Sequence, residues 1–203
     1  MTREQSRLDW VRWWAGQCVL QADPDWDEPR FFTPPSPRLR QFIHANPLAL
    51  GRYFDLPAQP PPAPEPSLMR LGALNADRRA LVLRLMAVVC RPAEAPRDIA
   101  AEQVIWCRRL AKALRPGLWL PADCSFTDDA DALALLRVHY GEACWPRLRL
   151  LYPRALSERS PLFKQSLPAG RLKALCEALI WKAETPESSQ GEGNANEENV
   201  FHA

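Results

Sequence analysis

The side chains able to do chemistry are scattered along this chain. Acids gather twice, at Asp23, Asp25, Asp27 and Glu28 and again at Asp128, Asp129 and Asp131. Carboxylate clusters are where a hard divalent cation would be sought. The first cluster alternates with Pro24, Trp26 and Pro29 and lacks the glycine and distal glutamate of a helix–loop–helix calcium loop. The second falls where a helix begins, and negative charge there offsets the helix macrodipole without any metal. The histidines, His44, His139 and His202, lie far apart. His139, beside Tyr140 and near Cys144, has the residue types of a Cys/His nucleophile pair. No Asn or Asp stands by to orient the imidazole, and a lone histidine at a helix end is usually structural. The eight glycines form neither a phosphate-binding loop nor a dinucleotide fingerprint. These residues predict a non-enzymatic protein with no catalytic residue, no cofactor and no metal.

Arginine is the more suggestive residue. Lysine occurs only at positions 112, 164, 173 and 182, so nearly all of the 26 basic side chains are guanidinium groups. Their planar forks suit protein contacts, although a GC-rich coding sequence produces the same bias. Arg147, Arg149 and Arg154 lie close to Trp145 and are interleaved with Leu148, Leu150, Leu151 and Tyr152, a composition typical of interface hot spots. These four residues, Trp145, Arg147, Arg149 and Arg154, are the candidate partner-binding set. The alternative is an amphipathic segment whose arginines lie over the rim of the core.

Bulk charge adds little. The formal net charge is +2, but residues 184 to 203 hold five glutamates (184, 187, 192, 197 and 198) and no Lys or Arg. Residues 1–183 thus set 26 basic against the remaining 19 acidic side chains, spread along the chain rather than gathered on one stripe. That distribution argues against nucleic acid as partner. The six cysteines are dispersed, without a C-x-x-C pair, and sit beside apolar residues as small buried hydrophobes do. The amino terminus is charged, and no run of 18 apolar residues exists to span a membrane, so a cytoplasmic location is expected.

The elements that would position these residues are all helical. Thr2 and Gln5 fit a capping box, opening a helix over 3–21 in which Leu8, Val11, Trp14 or Ala15, and Cys18 share a face. Trp10 and Trp13 flank that face, and the three tryptophans are read as core rather than as a docking edge. Ser36-Pro37 opens a second helix with Leu39, Phe42 and Ile43 on one side, ended by Asn46-Pro47. A short apolar turn covers 48–54. Six prolines between Pro57 and Pro66 then form a semi-rigid spacer. Beyond it, Asn75 or Asp77 caps a helix to Cys90 that is apolar almost all round and therefore central. Asp98 caps a helix to Leu114, ended by Pro116-Gly117. Thr127 or Asp128 starts one through Leu133, Leu136 and Tyr140, closed by Gly141. Pro146 starts or kinks the segment that follows, and a final helix over 169–183 presents Leu172, Leu175, Leu179 and Ile180. The expected organisation is an all-α, compact multi-helix domain: an N-terminal helical segment (1–56), a proline-rich linker (57–67), a main helical domain (68–183) and a disordered acidic tail (184–203).

The order of features from Leu71-Gly72-Ala73-Leu74, through the apolar arginine-flanked helix and Gly117-Leu118-Trp119-Leu120-Pro121, to Gly141 and Trp145, resembles a known family. It is similar to the K component of bacterial type III secretion systems, which includes the Yop translocation protein K and the OrgA proteins. The resemblance covers roughly residues 68–168. It implies a non-enzymatic accessory component of the sorting platform, cytoplasmic and peripheral at the base of the injectisome. Its partners would be the cytoplasmic, forkhead-associated-type domain of the inner-membrane ring protein and a pod protein, with the membrane reached only through them. The competing reading is a helical nucleic-acid-binding or regulatory adaptor protein.

Overall fold

Asn75 turns its side-chain oxygen onto the backbone N–H of Arg78 (2.9 Å), satisfying one of the amides a helix start leaves unpaired. From this cap the central helix of the fold runs from Ala76 to Cys90. Val82, Leu83, Leu85, Met86, Val88 and Val89 are all buried on it, around most of its circumference. A helix that is apolar on every side must be enclosed by others.

The computed structural model describes residues 3–27, 36–91, 98–121, 124–163 and 165–185. Among these the architecture is all-α, without a strand. In chain order the helices are α1 (Arg3–Ala15), α2 (Pro37–Ala45), α3 (Pro47–Tyr53), α4 (Pro66–Ala73), α5 (Ala76–Cys90), α6 (Ala101–Leu114), α7 (Asp129–Leu148), α8 (Arg154–Arg159) and α9 (Ala169–Glu184). Helices α6, α7 and α9 surround α5, and α4 bridges α7 and α9. Leu172, Leu175, Leu179 and Ile180 of α9 are buried, as their helical spacing predicts. No helix among the described residues is long and apolar enough to cross a membrane.

Several boundaries differ from the sequence expectation. The first helix stops at Ala15: Gly16 leaves the helical region, and residues Gln17–Gln21 continue as a tighter 3₁₀ turn. Its buried face is Trp10, Trp13, Trp14 and Cys18, while Leu8 and Val11 are about half exposed. The stripe is therefore rotated toward the tryptophans, because three large aromatics remove more apolar area from water than Leu and Val do. The 48–54 turn is largely a helix, α3, which buries Leu50, and Phe54 is buried at its C-terminal cap. Ile43 of α2 is buried and Phe42 is largely exposed. Asp98 does not cap α6; it pairs with Arg84 on α5 (2.5 Å), and α6 starts after Ala100 without a side-chain cap. Glu184 belongs to α9 rather than to the tail and forks with Arg70 of α4, whose Nε donates to Glu184 Oε1 at 2.8 Å. Thr2, Glu28, His202 and the tail from residue 186 lie outside the described residues, as do the side chains of Leu39 and His44.

Gly141 interrupts α7 at φ 78°, ψ 166°, a conformation open essentially only to glycine. It splits the helix into a half ending at Tyr140 and a half carrying Trp145, Pro146 and Arg147. This break sets the direction of the whole arginine segment.

Candidate partner-binding surface

The second half of α7, the 3₁₀ turn Arg149–Leu151 and the start of α8 bring Trp145, Arg147, Arg149 and Arg154 into one region. Two of the arginines turn inward. Arg147 is only 4% exposed: its Nε donates to the carbonyl of Trp14 (2.8 Å), one terminal nitrogen reaches the carbonyl of Pro57 (3.4 Å), and its plane lies 3.8 Å over the Trp14 ring. Burial lowers its proton affinity, and among the described residues no carboxylate pairs with it. The charge is held by carbonyl dipoles and an aromatic face, both of which attract cations.

Arg149 reaches the carbonyls of Phe54 (3.3 Å) and Asp55 (3.4 Å) and lies 5.0 Å over Trp26. Arg79, on α5, completes the set. Its Nη1 donates to the carbonyls of Gln21 (2.7 Å) and Leu151 (2.9 Å), and burial lowers its proton affinity too. Three guanidinium groups thus tie residues 14–57 to the main helical body. Tryptophan does the same from the other side. Trp10 and Trp14 donate through Nε1 to the carbonyls of Pro62 (3.0 Å) and Gln59 (2.8 Å), and Trp26 donates to the carbonyl of Tyr152 (2.7 Å). Prolines lack an N–H but keep the carbonyl, so the spacer is an acceptor strip laid over the tryptophan face.

Arg147 and Arg149 thus donate to the chain's own carbonyls, and Arg149 also lies 3.4 Å from the Asp55 carboxylate, while Arg147 Nη1 and Arg149 Nε have no hydrogen-bond partner among the described residues. Arg154 is solvent-facing, pairs with Glu158 in the next turn (2.8 Å) and lies 5.7 Å from the Trp26 ring centroid. Trp145 is half-buried beneath Arg137 (4.6 Å), which is itself forked onto Glu142. Of the three arginines, Arg154 is the most exposed.

The candidates for catalysis are also packed away. All six cysteines are free and buried. Burial pushes the thiols of Cys18 and Cys107 up to about 12 and that of Cys144 to about 11, so none is a thiolate near neutrality. The His139 imidazole is shifted down by burial, and its Nε2 has no hydrogen-bond partner among the described residues. Asp128 caps α7 through the N–H of Ala130 (2.8 Å), and Asp131 accepts from the N–H of Phe126 (2.8 Å). The acidic cluster is therefore helix-start machinery.

One surface escaped the sequence reading. Arg108, Arg109, Lys112 and Arg115 are exposed along α6 and its C-terminal cap, flanked by exposed Ile105 and by Leu118 at 73%. No ion pair among the described residues reaches any of the four cations. The spacing 105, 108, 112, 115 marks one helix face, a signal present in the sequence but masked there by the general abundance of arginine. A groove of about 580 Å³ opens elsewhere, between α1, α3 and the proline segment, with Val11, Trp14 and Arg147 among its walls.

Comparison with known protein families, curated proteins and solved structures found no match for this chain.

Proposed function

We propose that the protein is a non-enzymatic accessory component of a type III secretion system, linking the cytoplasmic side of the inner-membrane ring to the sorting-platform pods. The reading rests on the resemblance over residues 68–168. One observation supports it most: apart from the apolar helix α5, the segments that bear the resemblance are junctions of one helical body. Leu71-Gly72-Ala73-Leu74 closes α4, and an added Cβ at Gly72 would lie 2.5 Å from the Gln21 side chain. Pro116–Leu118 is the 3₁₀ turn that follows α6, and Trp119 Nε1 locks it by donating to the carbonyl of Leu114 (3.0 Å). Gly141 is the break in α7. Patterned junctions of this kind specify a shape, and a linker works through shape.

The test is affinity capture with the tagged full chain against the ring protein's cytoplasmic domain and the pod protein, each purified. The expected outcome is recovery of both, together and separately. Recovery of neither, with retention of duplex DNA that weakens steeply with salt, would replace this reading by that of a nucleic-acid-binding regulator.

A further inference from the structure

Among the described residues no ion pair engages the exposed cations of α6, and the chain carries an acidic segment. Residues 186–203 hold Glu187, Glu192, Glu197 and Glu198, no Lys or Arg, and the apolar pair Val200-Phe201. On α6, Arg108, Arg109, Lys112 and Arg115 lie between exposed Ile105 and Leu118. Cations favour a helix C-terminus because of the macrodipole, which accounts for Lys112 and Arg115 but not for Arg108 and Arg109 farther back. Charge and apolar flanks are thus complementary between the two segments.

The route is short. Lys182, Ala183 and Thr185, where α9 ends, share a groove of about 810 Å³ with Ala100, Glu102 and Gln103 at the start of α6. From Glu102 to Arg115 a helix rises about 20 Å. Twelve residues beyond Thr185, an extended chain has a reach of about 40 Å, so Glu197 and Glu198 can lie against any of the four cations. We propose that the basic outer face of α6 is a docking surface for an acidic polypeptide segment, and that in the free chain its occupant is the protein's own residues 186–203. The inference does not depend on the secretion reading.

Zero-length carbodiimide cross-linking of the full chain, mapped by mass spectrometry, tests it, because the reagent joins a carboxylate only to an amine it touches. Lys112 is the reporter, and Lys173, exposed on α9, is the control. The expected product joins Glu197 or Glu198 to Lys112 within one chain. Its yield should fall at least tenfold in 0.5 M salt and in the R108E/R109E/R115E variant, whose helix content by circular dichroism is unchanged. Cross-links divided evenly between Lys112 and Lys173, or a Lys112 yield indifferent to salt, would overturn the proposal. So would products joining two chains, which would make the occupant a second copy.

Discussion

A buried arginine without a carboxylate is an unusual way to hold a fold together, and Arg147 makes its consequences measurable. Its guanidinium bonds the carbonyls of Trp14 and Pro57 and stacks on the Trp14 ring. Arg147→Met keeps most of the packing volume but strands those carbonyls. It is expected to cost about 1–3 kcal/mol, the usual penalty for unsatisfied buried polar groups. Arg154→Met, at an exposed i,i+4 pair, should change stability by less than about 0.5 kcal/mol. Urea melts of the two variants compare a structural arginine with a surface one. A loss at Arg154 equal to that at Arg147 would refute the assignment. His139 gives a pH signature. Burial is the main cause holding its imidazole below the ordinary value of 6.5, with Glu177 opposing and Lys173 adding to the effect. The unfolded chain therefore binds the proton more readily, so stability should decline as pH falls below about 6.5. His139→Gln should remove that slope in thermal melts between pH 7 and 5. Asp23 and Asp129, raised by burial, act in the opposite sense at lower pH, nearer the carboxylate range.

At the scale of elements, the sequence announces most of the helices and mistakes some of their faces. The α5 helix, the α9 stripe, the glycine break at 141 and the proline-led start of α2 follow from local chemistry that tertiary packing does not override, whereas local chemistry predicts only an apolar turn where α3 forms. The rotation of α1 does not, since hydrophobic spacing alone cannot weigh three tryptophans against Leu8 and Val11. The tryptophans win because Trp10 stacks on Trp13 (5.5 Å between centroids) while both indoles reach distant acceptors. Nor could the direction of Arg147 be read, for it depends on the kink that Gly141 makes. Replacing that glycine by alanine is therefore a clean test at this scale. An added Cβ meets nothing within 4 Å, so any loss arises from the backbone at φ 78°. Chemical denaturation of G141A should show about 1–3 kcal/mol of destabilisation. At Gly72 the reason differs: a Cβ would displace Gln21, whose side chain accepts from Trp13 Nε1 (2.7 Å).

Across the whole molecule, residues of the N-terminal segment and of the main helical domain share one hydrophobic core. Trp10, Leu50, Leu71, Val88, Leu133 and Ile180 all belong to it. Asp23 N–H to the carbonyl of Leu150 (2.6 Å) and the Arg79 bridge between Gln21 and Leu151 tie the segments across that core. Tryptophan fluorescence, to which α1 contributes three of the eight tryptophans, and far-ultraviolet circular dichroism, dominated by the longer helices, should then report one coincident unfolding transition. Two separated transitions would mean that residues 3–56 dock weakly. The proposed function rests on a pattern of junctions alone, because a linker's specificity would lie in its surface, and a surface cannot be told from a core edge in one sequence.

Complementation of secretion tests the proposed linker role. Deleting the gene should abolish export of type III substrates, and the full chain should restore it. His139→Gln and Cys144→Ala should restore it equally, since neither residue does chemistry in this account. Secretion that persists without the gene would contradict the account at its root. Restoration by the wild-type chain but not by stably folded His139 or Cys144 variants would show that the protein is an enzyme after all.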